Sequence, residues 1–500
     1  EDTITGWNKY KSDVKVASKS LGDAFYFRRF GVYGTLDYQR SFGDHEVNAT
    51  ALAYRDEYSQ EAVLQNNKHL HFGATVNYMF KGKYIAHLTG VQAGSLKLFE
   101  GKRWGFSPGI GLGWILTEEG FLSDIGTVDY LKLRTNWASL KTDENLDYRL
   151  DRDYYTSGST FTWSHGSYSN AGRNVFYGNP GLNWEKINNF NIGFESALFN
   201  YRLGIEASYF YNLYDDVITQ RVNSLPGFFG NLPFENYGSY KTTGLELGLH
   251  YSMDFGAVKA RLGGNLVYAV PRVLAMDELN YEDNYRRQTG KATDAIFGLT
   301  AVGLFRDQAD IDSSVPQDFG PVQPGDIKYR DLNQDGIVDD NDIGVIGNGG
   351  ARLSYGLNLH LQYKSFELFA LGSGEAGQER LFNSPYYWVY GDRKYSAIVR
   401  ERWTPETAET ATYPRLSSMA DANNFRNSTF WMYETNYFNL HTAQLTYTLA
   451  NANIAGVDQV RLFLRGSNLA MMSKEKEKLQ LNVGTLPQMR SFSLGVNLMF

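Results

Sequence analysis

The chain contains no cysteine among its 500 residues. Disulfide bonds, thiolate zinc sites and cysteine nucleophiles are therefore excluded. It also lacks any stretch that approaches the roughly 18 uninterrupted apolar residues needed for a membrane-spanning helix, and its mean hydropathy is only −0.40. If this chain crosses a membrane, it must do so with strands.

Basic charge is not in excess either, since 48 Lys and Arg residues face 55 Asp and Glu residues and the net charge is −7. A nucleic-acid partner would require a basic surface, so that class is set aside. The eight histidines show no HExxH spacing and no GxSxG motif is found, so we do not expect an enzyme. Residues 1–5 lack the basic and apolar segments of a signal peptide, so we expect such a peptide to be either already removed or encoded upstream.

Aromatic residues are abundant, at 15% of the chain, and apolar side chains alternate with polar or small ones over long segments. The clearest segments are residues 70–80, 190–198, 203–212, 245–251 and 353–363, with Phe210 as an exception. Soluble strands average roughly five or six residues, whereas a tilted membrane strand needs about nine to eleven. Because successive side chains of a strand point to opposite faces, the pattern predicts one face toward lipid and one toward a wet interior.

The free energy of membrane insertion assigns the two faces. An arginine on the lipid side near the midplane would cost about 2–4 kcal/mol and a glutamate somewhat less, so Arg202 and Glu246 should lie on the interior side. Aromatic residues at strand ends are typical of the girdles at the membrane interfaces. We assign to this girdle Tyr78, Phe80, Tyr251, Tyr363 and the C-terminal Phe500.

Short and long connections mostly alternate along the chain, as periplasmic turns and extracellular loops do in bacterial barrels. Long connections are predicted at roughly 140–181, 212–239, 271–292, 306–350 and 376–429. The fold class is therefore all-β, a transmembrane antiparallel β-barrel with long extracellular loops and about sixteen strands. The strand directions do not alternate consistently across residues 271–350, so we expect a strand to be missed or wrongly assigned there.

Spaced motifs over residues 180–500 resemble the C-terminal part of SusC/RagA-type TonB-dependent transporters of Bacteroidota. They are Asn179-Pro180-Gly181-Leu182-Asn183-Trp184-Glu185, Thr243-Gly244-Leu245-Glu246-Leu247, Pro324-Gly325-Asp326-Ile327-Lys328-Tyr329-Arg330-Asp331, Ile346-Gly347-Asn348, Arg402-Trp403-Thr404-Pro405-Glu406, Leu445-Thr446-Tyr447-Thr448-Leu449, Ser467-Asn468-Leu469 and Pro487-Gln488-Met489-Arg490-Ser491-Phe492. Ala450 and Met489 stand where the family often has proline.

The resemblance implies a 22-stranded barrel in the Gram-negative outer membrane, a plug, a TonB box and a SusD-like surface lipoprotein as partner. We therefore expect residues 1–500 to be the later strands of one such barrel, with the plug and the N-terminal domains absent from this chain. Contact with the TonB complex would be made through that absent region.

Residues 331–342 have the spacing of a calcium-binding loop, with oxygen donors at positions 1, 3, 5, 9 and 12 and Gly336 at the sharp turn. The flanking segments are extended rather than helical in pattern, so the loop would not belong to an EF-hand. We expect a structural Ca²⁺ held by Asp331, Asn333, Asp335, the Ile337 carbonyl, Asp339 and Asp342. The alternative is a solvated Asp-Asn turn.

Two aromatic clusters lie in the predicted loops, and their rings could stack on sugars or pack against a lid protein. The first comprises Tyr386, Tyr387, Trp388 and Tyr390, and the second includes Trp163 and Tyr168 together with Tyr154, Tyr155 and Phe161. For any single residue, packing of the loops on themselves is the favoured interpretation.

The sequence thus predicts TonB-dependent import of a bulky nutrient, an oligosaccharide first and a peptide second, by a protein surrounded by outer-membrane lipid. Two alternatives stay open at this point. One is a passive general porin of about sixteen strands, and the other is a surface β protein that binds glycans without transport. A plug encoded upstream would favour the importer over the porin, and a membrane pool that requires detergent would exclude the adhesin.

Overall fold

The computed structural model describes residues 27–60, 66–122, 125–163, 168–224, 232–391, 395–418, 422–454, 456–481 and 486–500. The strands are β1 Phe27–Phe42, β2 His45–Gln60, β3 Asn67–Phe80, β4 Tyr84–Ser95, β5 Trp104–Ile115, β6 Val128–Thr142, β7 Tyr154–Trp163, β8 Tyr168–Phe176, β9 Glu185–Leu198, β10 Leu203–Gln220, β11 Phe234–Phe255, β12 Val258–Ala275, β13 Ala295–Gly298, β14 Ala301–Leu304, β15 Ile327–Tyr329, β16 Gly344–Asn348, β17 Leu353–Tyr363, β18 Phe366–Ala376, β19 Glu379–Leu381, β20 Met432–Glu434, β21 Tyr437–Ile454, β22 Val457–Met472 and β23 Ser491–Met499.

Among the residues that the structure describes, helical structure is confined to short pieces. The α-helices are α1 Gln308–Asp312 and α2 Lys476–Leu479, and 3₁₀ turns occupy Leu116–Glu118, Asn284–Arg286, Asp340–Asp342, Ala397–Glu401, Pro405–Thr407 and Thr429–Trp431. In the part of the chain that the structure describes, no helix has the length and the apolar character needed to span a bilayer.

Within the described residues, the long strands form one antiparallel sheet of 15 strands in the order β1-β2-β3-β4-β5-β6-β9-β10-β11-β12-β17-β18-β21-β22-β23. Neighbours in the sheet are neighbours along the chain, except where the short strands of a connection intervene. The estimate of about sixteen strands was close, and the all-β, antiparallel fold class is confirmed.

Connections at one rim of the sheet are mostly short, with 116–127 as the exception, and the longest connections lie at the other rim. The short rim carries the turn at Gly43 and Asp44 and the connections 81–83, 199–202, 256–257 and 364–365, whereas the long rim carries connections 143–184, 276–352, 377–436 and 473–490. β23 runs from the long rim to the short rim, so Phe500 lies on the short side. This is the alternation that a bacterial barrel requires.

The inconsistency of strand direction across residues 271–350 has a simple origin. β12 continues to Ala275 and pairs directly with β17, so no strand of the large sheet lies between them in the described residues. The apolar segment 295–304 instead forms β13 and β14, which pair with β16 and β15 inside the connection. The predicted loops 271–292 and 306–350 are therefore one connection, and alternation alone could not tell a barrel strand from a strand within a loop.

The predicted connection at 212–239 was too long at both ends. β10 extends to Gln220 and β11 begins at Phe234, and the two pair almost to their ends, with register shifts near Tyr214 and Val217. These irregularities break the alternation that marks a strand in the sequence, which explains the wrong boundary.

The two faces of the sheet have the predicted characters. Large apolar side chains stand exposed on the outward face, among them Ile192, Leu245 and Leu357 at 50%, 54% and 52%. On the inward face, the Glu195 carboxylate forms ion pairs with Arg134 at 3.1 Å and with Lys132 at 3.5 Å. The inward position of Glu246 is confirmed, since Ser208 Oγ donates to its carboxylate at 3.0 Å, whereas Arg202 lies in the turn before β10.

Phe210, the exception to the alternation, lies on the polar face and covers Gly244, its partner on β11. A Cβ atom at Gly244 would come within 2.5 Å of the Phe210 ring, so only glycine leaves room for the aromatic ring at this position. The apparent mismatch in the sequence is therefore a matched pair across two strands.

A continuous row of rings follows the short rim. Phe42, His45, Phe80, Tyr84 and Trp114 are successive cross-strand partners on β1 to β5. Their ring centroids are 5.0, 4.9, 6.2 and 6.4 Å apart. Of the predicted girdle residues, Phe80 belongs to this row, which marks one edge of the apolar band.

Candidate functional site

The two longest connections, 276–352 and 377–436, pack against each other at the long rim. Apolar side chains from both connections form one buried core, which we call the loop core. Its buried members are Leu299, Phe319, Ile327, Tyr329, Val338, Phe382, Val389, Val399, Tyr413 and Trp431. Because burial of apolar surface is worth about 25 cal/mol per Å², these connections are a folded cap of the sheet rather than a set of independent loops.

Buried polar groups complete the edges of this cap. One edge of β15 pairs with β14, and the other is satisfied by side chains. The Ile327 N–H donates to Asn424 Oδ1 at 2.8 Å, Asn423 Nδ2 donates to the Ile327 carbonyl at 2.9 Å, and the Tyr329 N–H donates to Gln317 Oε1 at 2.6 Å. The sequence analysis missed Gln317, Asn423 and Asn424, because a polar residue in a loop gives no signal of the distant backbone that it will satisfy.

Asp326 is fully buried beside this edge and is paired with Arg415. The Arg415 Nε lies 2.6 Å from Asp326 Oδ1, and its Nη2 donates to Oδ2 at 3.1 Å. Asn424 Nδ2 and the Gln323 N–H also donate to the carboxylate, both at 2.7 Å. The pair thus joins connection 276–352 to connection 377–436 by charge-assisted hydrogen bonds.

The first predicted aromatic cluster divides between packing and exposure to a cavity. Trp388 and Tyr390 pack on Phe425, at 6.0 and 5.0 Å between ring centroids. Tyr387 lies 4.1 Å from the ring of Phe382, and Tyr386 meets Tyr387 edge-on at 5.0 Å. Packing of the loops on themselves therefore accounts for Trp388 and Tyr390, while Tyr386 and Tyr387 also line a cavity.

That cavity, which we call the aromatic cavity, has a volume of about 570 Å³ and opens between connections 377–436 and 473–490. Its apolar lining includes Phe382, Tyr386, Tyr387, Tyr413, Phe430 and Trp431. Its polar lining consists of Glu401, Thr412, Glu477 and Lys478. Ring faces combined with a few polar groups are the usual composition of a site for a bulky, partly apolar ligand.

The polar groups of the aromatic cavity are fixed by their neighbours. The Tyr413 hydroxyl donates to the Tyr387 carbonyl at 2.8 Å. Burial, together with the nearby Tyr433 and Tyr386, raises the pKa of Tyr387 to about 12, so its hydroxyl stays protonated. Lys478 Nζ lies 5.2 Å from the Phe382 ring centroid and 2.5 Å from the Glu475 carboxylate. The cavity therefore offers both a neutral donor and a cation.

The second predicted cluster lies in connection 143–184, on the hairpin of β7 and β8. Trp163 and Tyr168 are cross-strand partners in its register, but their side chains are outside the described residues, as is that of Phe161. At the base of the hairpin, Tyr154 stacks on Phe176 at 4.8 Å. The structure does not bring this cluster and the aromatic cavity into one described site.

The predicted calcium loop is held closed by its own hydrogen bonds. Asp331 accepts the N–H groups of Gln334 at 2.6 Å and Gly336 at 3.0 Å, and Gly336 has a φ of +91°, as its place at the sharp turn requires. Buried Asp342 accepts the N–H groups of Leu332 at 2.6 Å and Asp339 at 2.8 Å. The flanks are β15 and β16, so the expectation of extended rather than helical flanks is confirmed.

The oxygen donors Asp331, Asn333, Asp335, Ile337, Asp339 and Asp342 have the chemistry that Ca²⁺ prefers. Within the described residues, however, no three His, Cys, Asp or Glu side chains converge closely enough to hold a metal ion. Calcium binding therefore stays a prediction, and closure of the loop by hydrogen bonds alone is its alternative.

Asp143 attaches connection 143–184 to the sheet by hydrogen bonds to β3 and β4. Its Oδ2 lies 3.1 Å from His69 Nε2 and accepts from Ser95 Oγ at 2.5 Å. Burial alone would raise the pKa of Asp143, but the hydrogen bonds from His69 and Ser95 outweigh it and lower that pKa from 3.8 to about 2. The carboxylate is thus ionised at all ordinary pH values.

We predict that Asp143→Asn lowers the melting temperature near neutral pH, with a loss on the order of 2 kcal/mol. A lowered pKa stabilises the fold above the unfolded value of 3.8, and this contribution is lost as the pH falls toward 2. The difference between wild type and variant should therefore disappear near pH 2 in calorimetric scans. Asp147→Asn, at an exposed carboxylate of the same connection, is the control. An equal difference at both pH values would contradict the assignment.

Residues 3–469 match the family described as TonB dependent receptor-like, beta-barrel. A TonB-dependent receptor of Formosa agariphila is 27% identical over 86% of this chain and 46% of its own length. TonB-dependent receptor SusC of Bacteroides thetaiotaomicron is 22% identical over 99% of this chain and 51% of its own length.

Among solved structures, the RagAB peptide importer in its "open-open" state superposes with a TM-score of 0.76 at 18% identity, over 95% of this chain and 55% of that one. The chain spans about half the length of the relatives that it matches. The resemblance to SusC/RagA-type transporters is confirmed.

Proposed function

Because the chain belongs to the TonB-dependent receptor-like β-barrel family, we propose that it forms the later strands of the barrel of an importer that carries an oligosaccharide across the outer membrane. As an outer-membrane barrel of this family, it faces lipid with the apolar side of its sheet and places the long rim outside the cell. The plug and the earlier strands complete the importer. The family is one of transporters and receptors, and no catalytic step is assigned to the chain.

The observation that carries the proposed substrate class is the aromatic cavity. Tyr386, Tyr387 and Phe430 offer ring faces, and Glu401 and Lys478 offer hydrogen-bonding groups beside them. Sugars present both C–H faces and hydroxyl groups, so a site of this composition suits them. The alternative is a peptide, because the solved structure with the same fold is described as a peptide importer.

In this mechanism a SusD-like lipoprotein, the partner implied by the SusC/RagA resemblance, closes over the cap formed by connections 276–352 and 377–436. The substrate is then enclosed between the lid and the aromatic cavity. TonB acts on the plug and opens a path along the inward face, where Arg134, Lys132 and Glu195 provide fixed charges. These polar groups replace water around the substrate as it passes.

Uptake by native cells tests the proposal. We expect disruption of the gene for this chain to abolish uptake of a fluorescent oligosaccharide but not of a peptide of matched mass. A protonophore should abolish the same uptake in unmodified cells. Uptake that survives the protonophore would indicate a passive porin, and selective loss of peptide uptake would replace the oligosaccharide with the peptide.

We predict that Tyr386→Ala weakens oligosaccharide binding to the purified full-length protein about twofold to tenfold, since an aromatic contact is worth about 0.5–1.5 kcal/mol. The ring is half-buried, so its removal should not unfold the loop core. Tyr395→Ala is the matched control, because this tyrosine of the same connection is 54% exposed and does not line the cavity. Fluorescence titration with the oligosaccharide measures the affinity of both variants. Equal affinities of wild type and Tyr386→Ala would place the sugar elsewhere.

We also propose that the loop 331–342 binds a structural Ca²⁺. Calorimetric titration of the calcium-stripped full-length protein should then give a binding heat that Asp335→Asn strongly reduces, because Asp335 is an exposed carboxylate in the ligand set. Asp340→Asn, an exposed carboxylate of the loop outside that set, should leave the heat unchanged. Absence of a heat in the wild type would show that the hydrogen bonds of the loop suffice.

A further inference from the structure

A groove on the outward face of the sheet lies at the long rim of β2 to β5. Arg55 is the cross-strand partner of Leu70, Leu70 that of Gly94, and Gly94 that of Trp104. These residues therefore form one row on one face. Trp104 is 50% exposed and Leu70 37% exposed, so the row belongs to the apolar face that lipid covers.

Basic side chains surround this row at its extracellular end. Arg55, Lys68 and Arg103 line a cavity of about 350 Å³ together with Leu70 and Trp104. Arg55 and Lys68 share the single carboxylate of Glu57, at 3.7 and 3.3 Å, and their side chains are 61% and 42% exposed. Arg103 Nε donates to the Leu98 carbonyl at 3.3 Å, and the Asp143 carboxylate lies behind His69 and Ser95, which also line the cavity. The three cations thus lie beside Glu57 at the rim that faces the headgroups of the outer leaflet.

The groove continues toward the membrane centre as an apolar wall. Phe72 stacks on Trp104 at 6.2 Å between ring centroids. Phe106 lies in the same row as Phe72, on the outward face and one row closer to the membrane centre than Trp104, because both phenylalanines flank Gln92. Phe106 is 55% exposed, and Leu88 and Ile110 below it are 50% and 41% exposed. A ligand in this groove therefore meets cations at one end and a hydrocarbon surface at the other.

We propose that this groove binds a phosphorylated glycolipid of the outer leaflet, with its phosphate between Arg55, Lys68 and Arg103 and its acyl chains along Trp104, Phe72 and Phe106. Arginine forms paired hydrogen bonds with phosphate oxygens, and basic pockets at the headgroup level recognise anionic lipids. The indole of Trp104 lies at the boundary, where tryptophan is favoured. A free phosphate would leave the apolar wall unused.

This inference requires only that the long rim faces the outside of the cell, and it does not depend on what the barrel transports. Failure of the uptake experiment would therefore leave it intact. Conversely, loss of lipid binding here would not alter the proposed import.

Native mass spectrometry of the full-length protein in detergent tests the proposal. The probes are monophosphoryl lipid A, the same lipid without its phosphate, and phosphatidylglycerol. The variants are Arg55→Gln and the double variant Arg55→Gln/Arg103→Gln. The control is Arg40→Gln, which removes the same charge from the same outward face at the short rim, where Arg40 lies over the Phe42 ring. Heat-dependent electrophoretic mobility reports whether each barrel is folded.

We expect the wild type and Arg40→Gln to retain monophosphoryl lipid A. Retention should fall about tenfold in the double variant and by a smaller factor in Arg55→Gln, as the loss of charge-assisted hydrogen bonds predicts. Equal retention by the double variant, or equal retention of the phosphate-free lipid, would overturn the role of the cations. Equal retention of phosphatidylglycerol would overturn the glycolipid as the ligand in favour of any anionic lipid.

Discussion

Trp431→Ala is expected to unfold the cap at the long rim while the large sheet persists. The side chain is 2% exposed at the centre of the loop core. Its ring lies 5.1 Å from that of Phe430 and 5.5 Å from that of Tyr413, and its Nε1 donates to the Asn424 carbonyl at 2.8 Å. Truncation of a buried tryptophan costs about 3–5 kcal/mol, because it removes apolar contacts and leaves a cavity.

Hydrogen exchange measured by mass spectrometry would show this as lost protection in peptides from connections 276–352 and 377–436. Peptides from β9 to β12 should keep their protection from exchange. Trp137→Ala is the control, since this tryptophan is 42% exposed on the outward face of the sheet and touches lipid rather than the cap. Binding of the proposed oligosaccharide should be lost in Trp431→Ala but not in the control. Unchanged protection of the cap would mean that the two connections do not share one core.

Arg415→Met is the second change with a large expected effect. It leaves the fully buried Asp326 carboxylate without the cation that lies 2.6 Å away. Removal of one partner from a buried ion pair costs about 3–5 kcal/mol, because the remaining charge is no longer compensated. The segment around β15 should then exchange its amide hydrogens much faster, since Asn424 and the Asp326 carboxylate are part of the same hydrogen-bond network.

The double variant Asp326→Asn/Arg415→Met separates loss of the charge pair from loss of packing. With no charge left in the interior, the double variant should be more stable than Arg415→Met alone, although still below the wild type. The rate of hydrogen exchange in the peptide that contains Ile327 reports the local stability of both variants. A double variant that is less stable than Arg415→Met would show that the hydrogen bonds to Asp326, rather than its charge, hold the two connections together.

The sequence predicted the large sheet well because the underlying signal is local. Alternation in residues 245–251 and 353–363 depends only on the geometry of a single strand, and the cost of placing Glu246 in lipid fixed which face points inward. The segment 295–304 shows the limit of this reasoning. Its residues are as apolar as those of a barrel strand, and only their pairing with β15 and β16 places them inside a connection.

The candidate site was predicted only in part. The Tyr386 cluster was found from its composition, but composition could not separate Tyr386, which lines the aromatic cavity, from Trp388, which packs in the cap. Lys478 reaches the same cavity from connection 473–490, and nothing in its local sequence indicates this.

By itself, the sequence determined that this protein is a strand-based membrane barrel with an apolar exterior, a polar interior and long loops at one rim. These properties follow from the two-residue period of a strand and from the energy of each side chain in hydrocarbon, both of which act locally. The tertiary structure alone decided that two connections share a core, that Asn424 satisfies the backbone of Ile327, and that Arg55 and Arg103 stand at one groove. Such contacts join residues that are far apart along the chain, so they depend on how the whole sheet brings its connections together.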